Sequence, residues 1–250
     1  MFTLIAVYFL WNKTCSNFAC LINLLQQSSL LKLDKTYKLK IDNVNLEVDE
    51  WENSNIQVFW GEIAPCDHLI QIYENDKIFL DTLEGFAGAG FLAGDSVVII
   101  ATATHLKSLN DRLRKQGFNL ESLSREHQYI PLEANETLSK FMVNDWPDEK
   151  LFKNLVTGII NDATKNNRKV RAFGEMVAVL WEKGLNGATV QLEHLWCDLH
   201  KGDFTLYCAY PKNGFTQSAI DSIHTICKTH TKIIDGFPRP TTEIYYRAVV

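Results

Sequence analysis

Ser96-Val97-Val98-Ile99-Ile100-Ala101 is the stretch that decides the fold. From Val97 onward no polar residue interrupts the run, and four of its members are β-branched. A strand with one face in water alternates apolar and polar residues. A strand buried on both faces, in a parallel sheet between two layers of helix, reads as this one does. Working outward, Leu69-Ile70-Gln71-Ile72-Tyr73 is an earlier strand, and Asp76, as N-cap, opens a helical pattern through Ile78, Phe79, Leu83 and Phe86. Gly88, Gly90 and Gly94 then break that helix. Beyond the central strand, 106–116 is helical and stops at Gly117, and Tyr129-Ile130-Pro131-Leu132 is a short strand weakened by its proline. Helices follow over 135–143 and 149–164. Lys169-Val170-Arg171-Ala172-Phe173 is a strand ending in Gly174, and 175–183 is a helix stopped by Gly184. A helix over 192–199, a strand Phe204-Thr205-Leu206-Tyr207-Cys208-Ala209-Tyr210 stopped by Pro211, and a helix over 217–228 complete the series. This alternation predicts a three-layer α/β domain with a mainly parallel sheet and right-handed crossovers.

Three stretches are expected: an extension over 1–55, the α/β domain over 56–235, and a tail over 236–250 whose Ile244-Tyr245-Tyr246 docks as an edge strand. Within the extension, 37–48 alternates apolar and polar on both sides of Asp42-Asn43. With those two residues as the loop, Tyr37, Leu39, Ile41, Val44, Leu46 and Val48 share one face of a β-hairpin. The apolar opening, Met1 to Trp11, ends at Asn12-Lys13 and is shorter than the roughly 20 residues a membrane span needs. It lacks the basic start of a signal peptide. None of the six cysteines stands in a Cys-x-x-Cys pair, so reduced thiols in a cytoplasmic protein are expected. Net charge is −5, which removes the electrostatic case for a nucleic-acid binder. The 46% hydrophobic content excludes a disordered chain.

Parallel sheets place their sites at the carboxyl ends of the strands. That rule selects Tyr73 and Glu74, Thr102 to His105, Gly174 and Glu175, and Tyr210. Glu175 has a plain structural role as an acid at a helix N-terminus, favoured by the dipole by about 0.3–1 kcal/mol. It also stands where a ligand's donor would meet it. The phosphate-loop motif G-x-x-x-x-G-K-[ST] is absent. Gly85-Phe-Ala-Gly88-Ala-Gly90 follows a helix rather than a strand, so it reads as a helix stop and turn. No nucleophile elbow, zinc-protease or kinase motif is present. Glu193-His194-Leu-Trp196 brings an acid, an imidazole and an indole into one helical turn, but a metal site needs further ligands, and none can be assigned from sequence. His224 and His230, six apart, do not share a helical face, and Cys208 in mid-strand reads as inert. Trp181 and Trp196 read first as core aromatics. No metal and no cofactor are therefore expected.

Asp67-His68-Leu-Ile-Gln-Ile-Tyr73-Glu74, Phe91-Leu-Ala-Gly94-Asp95-Ser-Val-Val-Ile-Ile-Ala101-Thr102, Val170-Arg-Ala-Phe-Gly174-Glu175-Met176 with Leu180-Trp181, Leu192-Glu193-His-Leu-Trp196 and Leu206-Tyr-Cys208-Ala209-Tyr210-Pro211 occur in that order. As an ordered set over about 60–235 they resemble the MEDS domain, the methanogen/methylotroph sensory domain related to RecA/KaiC-like ATPases. The resemblance implies a RecA-like three-layer fold without the phosphate-loop lysine, and a role in sensing simple organic compounds. Carried over position by position, it singles out His68, Tyr73, Gly174, Glu175, Trp181, Glu193 and Trp196 as ligand-binding, to which the strand-end rule adds His105. Family members are often joined to a DNA-binding domain or a histidine kinase. No such element fits in 1–55 or 236–250, so a partner regulator or kinase is expected to supply the output. The expected function is therefore non-catalytic sensing of a small organic ligand, with no membrane and no direct nucleic-acid contact. The alternatives are a degenerate nucleotide binder using Lys77, and an assembly module that forms homo-oligomers.

Overall fold

The computed structural model describes residues 56–64, 66–200, 204–212, 225–234, 238 and 240–248. The hairpin expected at 37–48, the apolar opening and most of the helix expected at 217–228 lie outside the described residues. Strand β1 (Ile56–Phe59) and a short 3-10 turn lead to β2 (His68–Tyr73). The Asn75 side chain accepts the Ile78 N–H at 3.1 Å and caps α1 (Asp76–Ala93). The cap thus falls one residue before the expected Asp76, which is the first helical residue. Strand β3 (Ser96–Ala101) is buried at every position, as its β-branched run requires. The Thr102 hydroxyl caps α2 (Ala103–Lys115), and a short α3 (Leu120–Arg125) precedes β4 (Tyr129–Glu133). Helix α4 (Ala134–Ser139) is shorter than its pattern suggested, because the chain turns at Asn144 and Asp145, both in the left-handed region. The turn joins a two-stranded ribbon, β5 (Met142–Val143) and β6 (Trp146–Pro147). Then come α5 (Glu149–Ala163), β7 (Val170–Gly174), α6 (Met176–Glu182), α7 (Asn186–His200), β8 (Thr205–Pro211), β9 (Lys232–Ile234) and β10 (Glu243–Ala248).

The large sheet has the order β1-β10-β9-β2-β8-β7-β3-β4. The six strands from β9 to β4 run parallel, and β10 and β1 add antiparallel. The expected three-layer α/β domain with a mainly parallel sheet is what the chain forms. Pro131 is tolerated because β4 is the sheet's edge. The strand from the C-terminal stretch lies one place in from the other edge, since β1 pairs outside it. Leu69, Val97, Ile99, Phe173 and Tyr207 face α1, α2 and α3, while Ile70, Val98, Ala172, Leu206 and Cys208 face α4 to α7. The period of two thus sorts each strand between two apolar cores.

Gly85, Gly88 and Gly90 do not stop α1, which runs on to Gly94 at φ 78°. They are small because the helix lies close to its neighbours. A Cβ on Gly85 would fall 1.8 Å from the Thr241 carbonyl oxygen, and one on Gly90 would fall 2.7 Å from Val97 Cγ2 and 3.0 Å from Arg171 Cδ. Arg171 has little freedom to yield. Its Nε donates to Asp95 Oδ2 at 2.8 Å and its Nη1 to the Trp60 carbonyl at 3.2 Å, and both charged side chains are buried. Gly90→Ala is therefore expected to cost about 1–3 kcal/mol by overpacking. Gly158→Ala, in an exposed turn of α5 with nothing within 4 Å of the added atom, is expected to gain about 0.5–1 kcal/mol. Urea midpoints moving in opposite directions would bear this out, and a neutral Gly90→Ala would refute the close approach.

Candidate functional site

The carboxyl ends of the parallel strands form one rim, and the strand order marks one place on it. After β3 the chain enters α2 on one face of the sheet and moves out to β4. After β7, the neighbour of β3, it enters α6 on the other face and moves inward to β8. The two connections diverge, leaving a crevice between the ends of β3 and β7, where α/β sheets take their ligands.

Glu175 stands at that divergence. Its N–H extends the β3–β7 pairing by donating to the Ile100 carbonyl at 2.8 Å. Its carboxylate, buried at 5% exposure, turns toward α2. Oε2 accepts the Thr102 N–H at 2.8 Å, and Oε1 lies 2.6 Å from His105 Nδ1. The other imidazole nitrogen, Nε2, is 3.8 Å from Asp76 Oδ2, at the exposed start of α1. Burial alone would lower the His105 pKa. The hydrogen bond and charge of Glu175, followed by those of Asp76, outweigh it and leave the imidazole above its ordinary value. The Phe79 ring meets His105 edge-on at 4.9 Å and stacks on Tyr73 at 4.8 Å. Burial first, then the Glu175 charge, raises the Tyr73 phenol, which stays protonated. The rim therefore presents an imidazole whose outer nitrogen has only a long contact to an exposed acid, beside an apolar ring. It can donate a hydrogen bond to a small polar ligand, and the buried Tyr73–Phe79 stack supports the imidazole from behind.

Of the eight residues singled out from the sequence, Tyr73, His105 and Glu175 come together here. Gly174, Trp181 and Trp196 pack on the opposite face. An added Cβ on Gly174 would sit 3.6 Å from the Trp196 ring, Trp196 meets Phe152 edge-on at 5.2 Å, and Trp181 lies 6.1 Å from Tyr210. His68 and Glu193 approach each other at 3.8 Å away from the rim, where β2 begins. His68 and His105 thus lie at opposite ends of strands separated by β8 and β7. His194 and Asp198 are exposed on α7. A groove of about 640 Å³ at the amino ends, lined by Asp95, Lys169, Arg171 and Thr205 among others, contains none of the eight. Thr102 and Asp76 complete the rim. The strand-end rule reached Thr102, whereas Asp76 was visible only as a helix start.

Residues 67–231 match the family model described as MEDS, the methanogen/methylotroph, DcmR sensory domain. No curated protein matches the chain in sequence. Among solved structures, the chain resembles an uncharacterized protein from Pyrococcus horikoshii crystallised with an unknown peptide. That likeness has a TM-score of 0.55 and 9% identity over 70% of this chain and 79% of that one. A KaiC-like protein from the same archaeon is similar at a TM-score of 0.45 and 11% identity, over 68% and 72% of the two chains. At such identities the first likeness is one of fold.

Because the pKa of His105 is raised on folding, its pairing with Glu175 stabilises fully below its unfolded value of about 6.5 and fades as pH climbs through the folded value. Glu175→Gln keeps the shape and removes the charge. The His105 titration midpoint, followed by proton NMR of the ring C–H signals, is expected to fall in the variant. An unchanged midpoint would assign the shift to Asp76 instead.

Proposed function

Since this chain belongs to the MEDS family of sensory domains, we propose that it senses a small organic molecule at the crevice between β3 and β7. Binding is reversible and without turnover. The observation that carries this reading is the His105–Glu175 pair at 2.6 Å, set where the two strand connections diverge. His105 Nε2 is the ligand's hydrogen-bond donor, Glu175 holds the imidazole in place, and the buried Tyr73–Phe79 stack backs the ring.

The surrounding charge favours a neutral or cationic ligand over a phosphate. Lys77, the one cation that the nucleotide alternative invoked, is paired with Asp81 at 2.6 Å, and Asp76 and Glu175 flank His105. The missing phosphate-loop lysine points the same way. Ligand state is read out by a partner regulator or kinase. A cytoplasmic location agrees with the cysteine pattern, and no helix among the described residues is long and apolar enough to cross a membrane.

A thermal-shift screen against short-chain alcohols, amines, thiols and carboxylates tests the reading. At a ligand concentration a hundred times Kd the folded state gains about 2.7 kcal/mol, which raises Tm by several degrees. His105→Gln is expected to abolish that rise. If no compound raises Tm, or if the rise survives in both His105→Gln and Glu175→Gln, the site is wrong.

A further inference from the structure

His68 opens β2, Cys208 lies in the middle of β8, Glu193 projects from α7, and His230 stands just ahead of β9. All four side chains are buried on the side of the sheet away from Tyr73. One nitrogen, sulfur or oxygen atom from each lies within 4.8 Å of the other three. His68 Nε2 and His230 Nε2 are 3.8 and 3.7 Å from Glu193 Oε2, and Cys208 Sγ is 3.7 Å from His68 Nε2 and 3.8 Å from Glu193 Oε2. In a tetrahedral centre with metal–ligand bonds of about 2.0–2.3 Å, ligand atoms stand about 3.3–3.8 Å apart. Four of the six separations are already close to the edges of that tetrahedron.

The imidazoles are turned as ligands should be. His68 Nδ1 is 3.0 Å from the Thr229 carbonyl, and His230 Nδ1 is 2.7 Å from the Ile226 carbonyl. A carbonyl only accepts, so both rings carry their proton on Nδ1 and keep the lone pair on Nε2, which lies 3.8 Å (His68) and 3.7 Å (His230) from Glu193 Oε2. Donation of the outer N–H to a backbone carbonyl is the usual support of a metal-binding histidine. Burial keeps both rings neutral, with His230 pushed down to about 4. His230 Nε2 is fully buried and has no hydrogen-bond partner. In a sealed core such an atom is costly unless something takes its lone pair. The Glu193 carboxylate has a donor, the Tyr210 hydroxyl on Oε1, but Oε2 faces two acceptor nitrogens and a weak thiol.

We propose that His68, Glu193, Cys208 and His230 bind one zinc ion. A thiolate with two imidazoles selects a borderline-soft metal, and a single carboxylate is too few oxygens for calcium or magnesium. Zn²⁺ with one thiolate, one carboxylate and two neutral imidazoles carries no net charge, which suits a site without water. Four protein ligands leave no open position, so the centre is structural. It ties α7 and the residue before β9 to β2 and β8.

The full chain, stripped with a chelator and titrated with zinc or cobalt, tests this. Elemental analysis is expected to give one zinc per chain, and the cobalt form is expected to show the intense visible bands of a tetrahedral ion and a thiolate charge-transfer band. Cys208→Ser should lose that band, and Glu193→Gln, which keeps the shape, should lower zinc affinity by ~10-fold or more. His194→Ala, exposed on the same helix, should change neither. No tight metal binding, a six-coordinate cobalt spectrum, or a thiolate band that persists in Cys208→Ser would each overturn the proposal. If Cys208→Ser fails to fold, the cobalt spectrum of the parent chain and Glu193→Gln decide it.

Discussion

A parallel sheet covered by helices on both faces leaves little room for water, so a polar group set into it is costly unless it finds a partner within the protein. The structure is organised around that constraint. Strands such as β3 meet it by carrying apolar side chains into both cores. Where the sequence departs from this, a closed polar set appears. Arg171 meets Asp95 and the Trp60 carbonyl. Gln71 accepts the Tyr207 hydroxyl at 2.5 Å and donates to Thr82 at 2.9 Å. Glu175 takes Thr102 and His105. Each set joins elements distant in sequence, so the pairing that desolvation demands also fixes where helices lie on the sheet.

Glu175 shows how this constraint makes a site. It stands at the start of α6 on one face while its carboxylate holds the start of α2, which packs on the other. The two helical layers thus meet at one side chain, at the place where the strand order reverses. His105, drawn to that carboxylate from below and to Asp76 from outside, is the one member of the set whose second nitrogen reaches the rim. In the proposed site a ligand on Nε2 would change the charge balance at Glu175, and that carboxylate contacts both layers.

Local chemistry was legible in the sequence, and long-range company was not. The β-branched run at 97–100 announced a strand buried on both faces, and the strand-end rule brought out Tyr73, His105 and Glu175, because each depends only on its place along one strand or helix. Gly85 and Gly90 misled for the opposite reason. Nothing near them in sequence reveals that the Thr241 carbonyl or the Val97 methyl lies against the helix. Strand order is equally hidden: His68 and His105 were both singled out, yet β8 and β7 separate their strands. In the sequence Cys208 stands alone in an apolar run, and the histidine nearest His230 is His224. Their company with Glu193 exists only once β8, α7 and β9 are assembled. The one local hint was Tyr210, two residues after Cys208 on the same strand face and bonded to Glu193.

The two polar clusters differ in what they can exchange. The rim cluster borders water: Asp76 is mostly exposed, and His105 Nε2 touches it only at 3.8 Å. Water or a ligand can replace that contact at little cost, which suits a partner that comes and goes. The cluster at Glu193 has no such outlet. Its side chains are sealed between sheet and helix, and rearranging any one of them would strand another. A group there must be satisfied for as long as the protein is folded. The same dry sheet therefore sorts its polar residues by position. Those at the carboxyl edge border water and can exchange partners, whereas those in the interior keep theirs for as long as the fold persists.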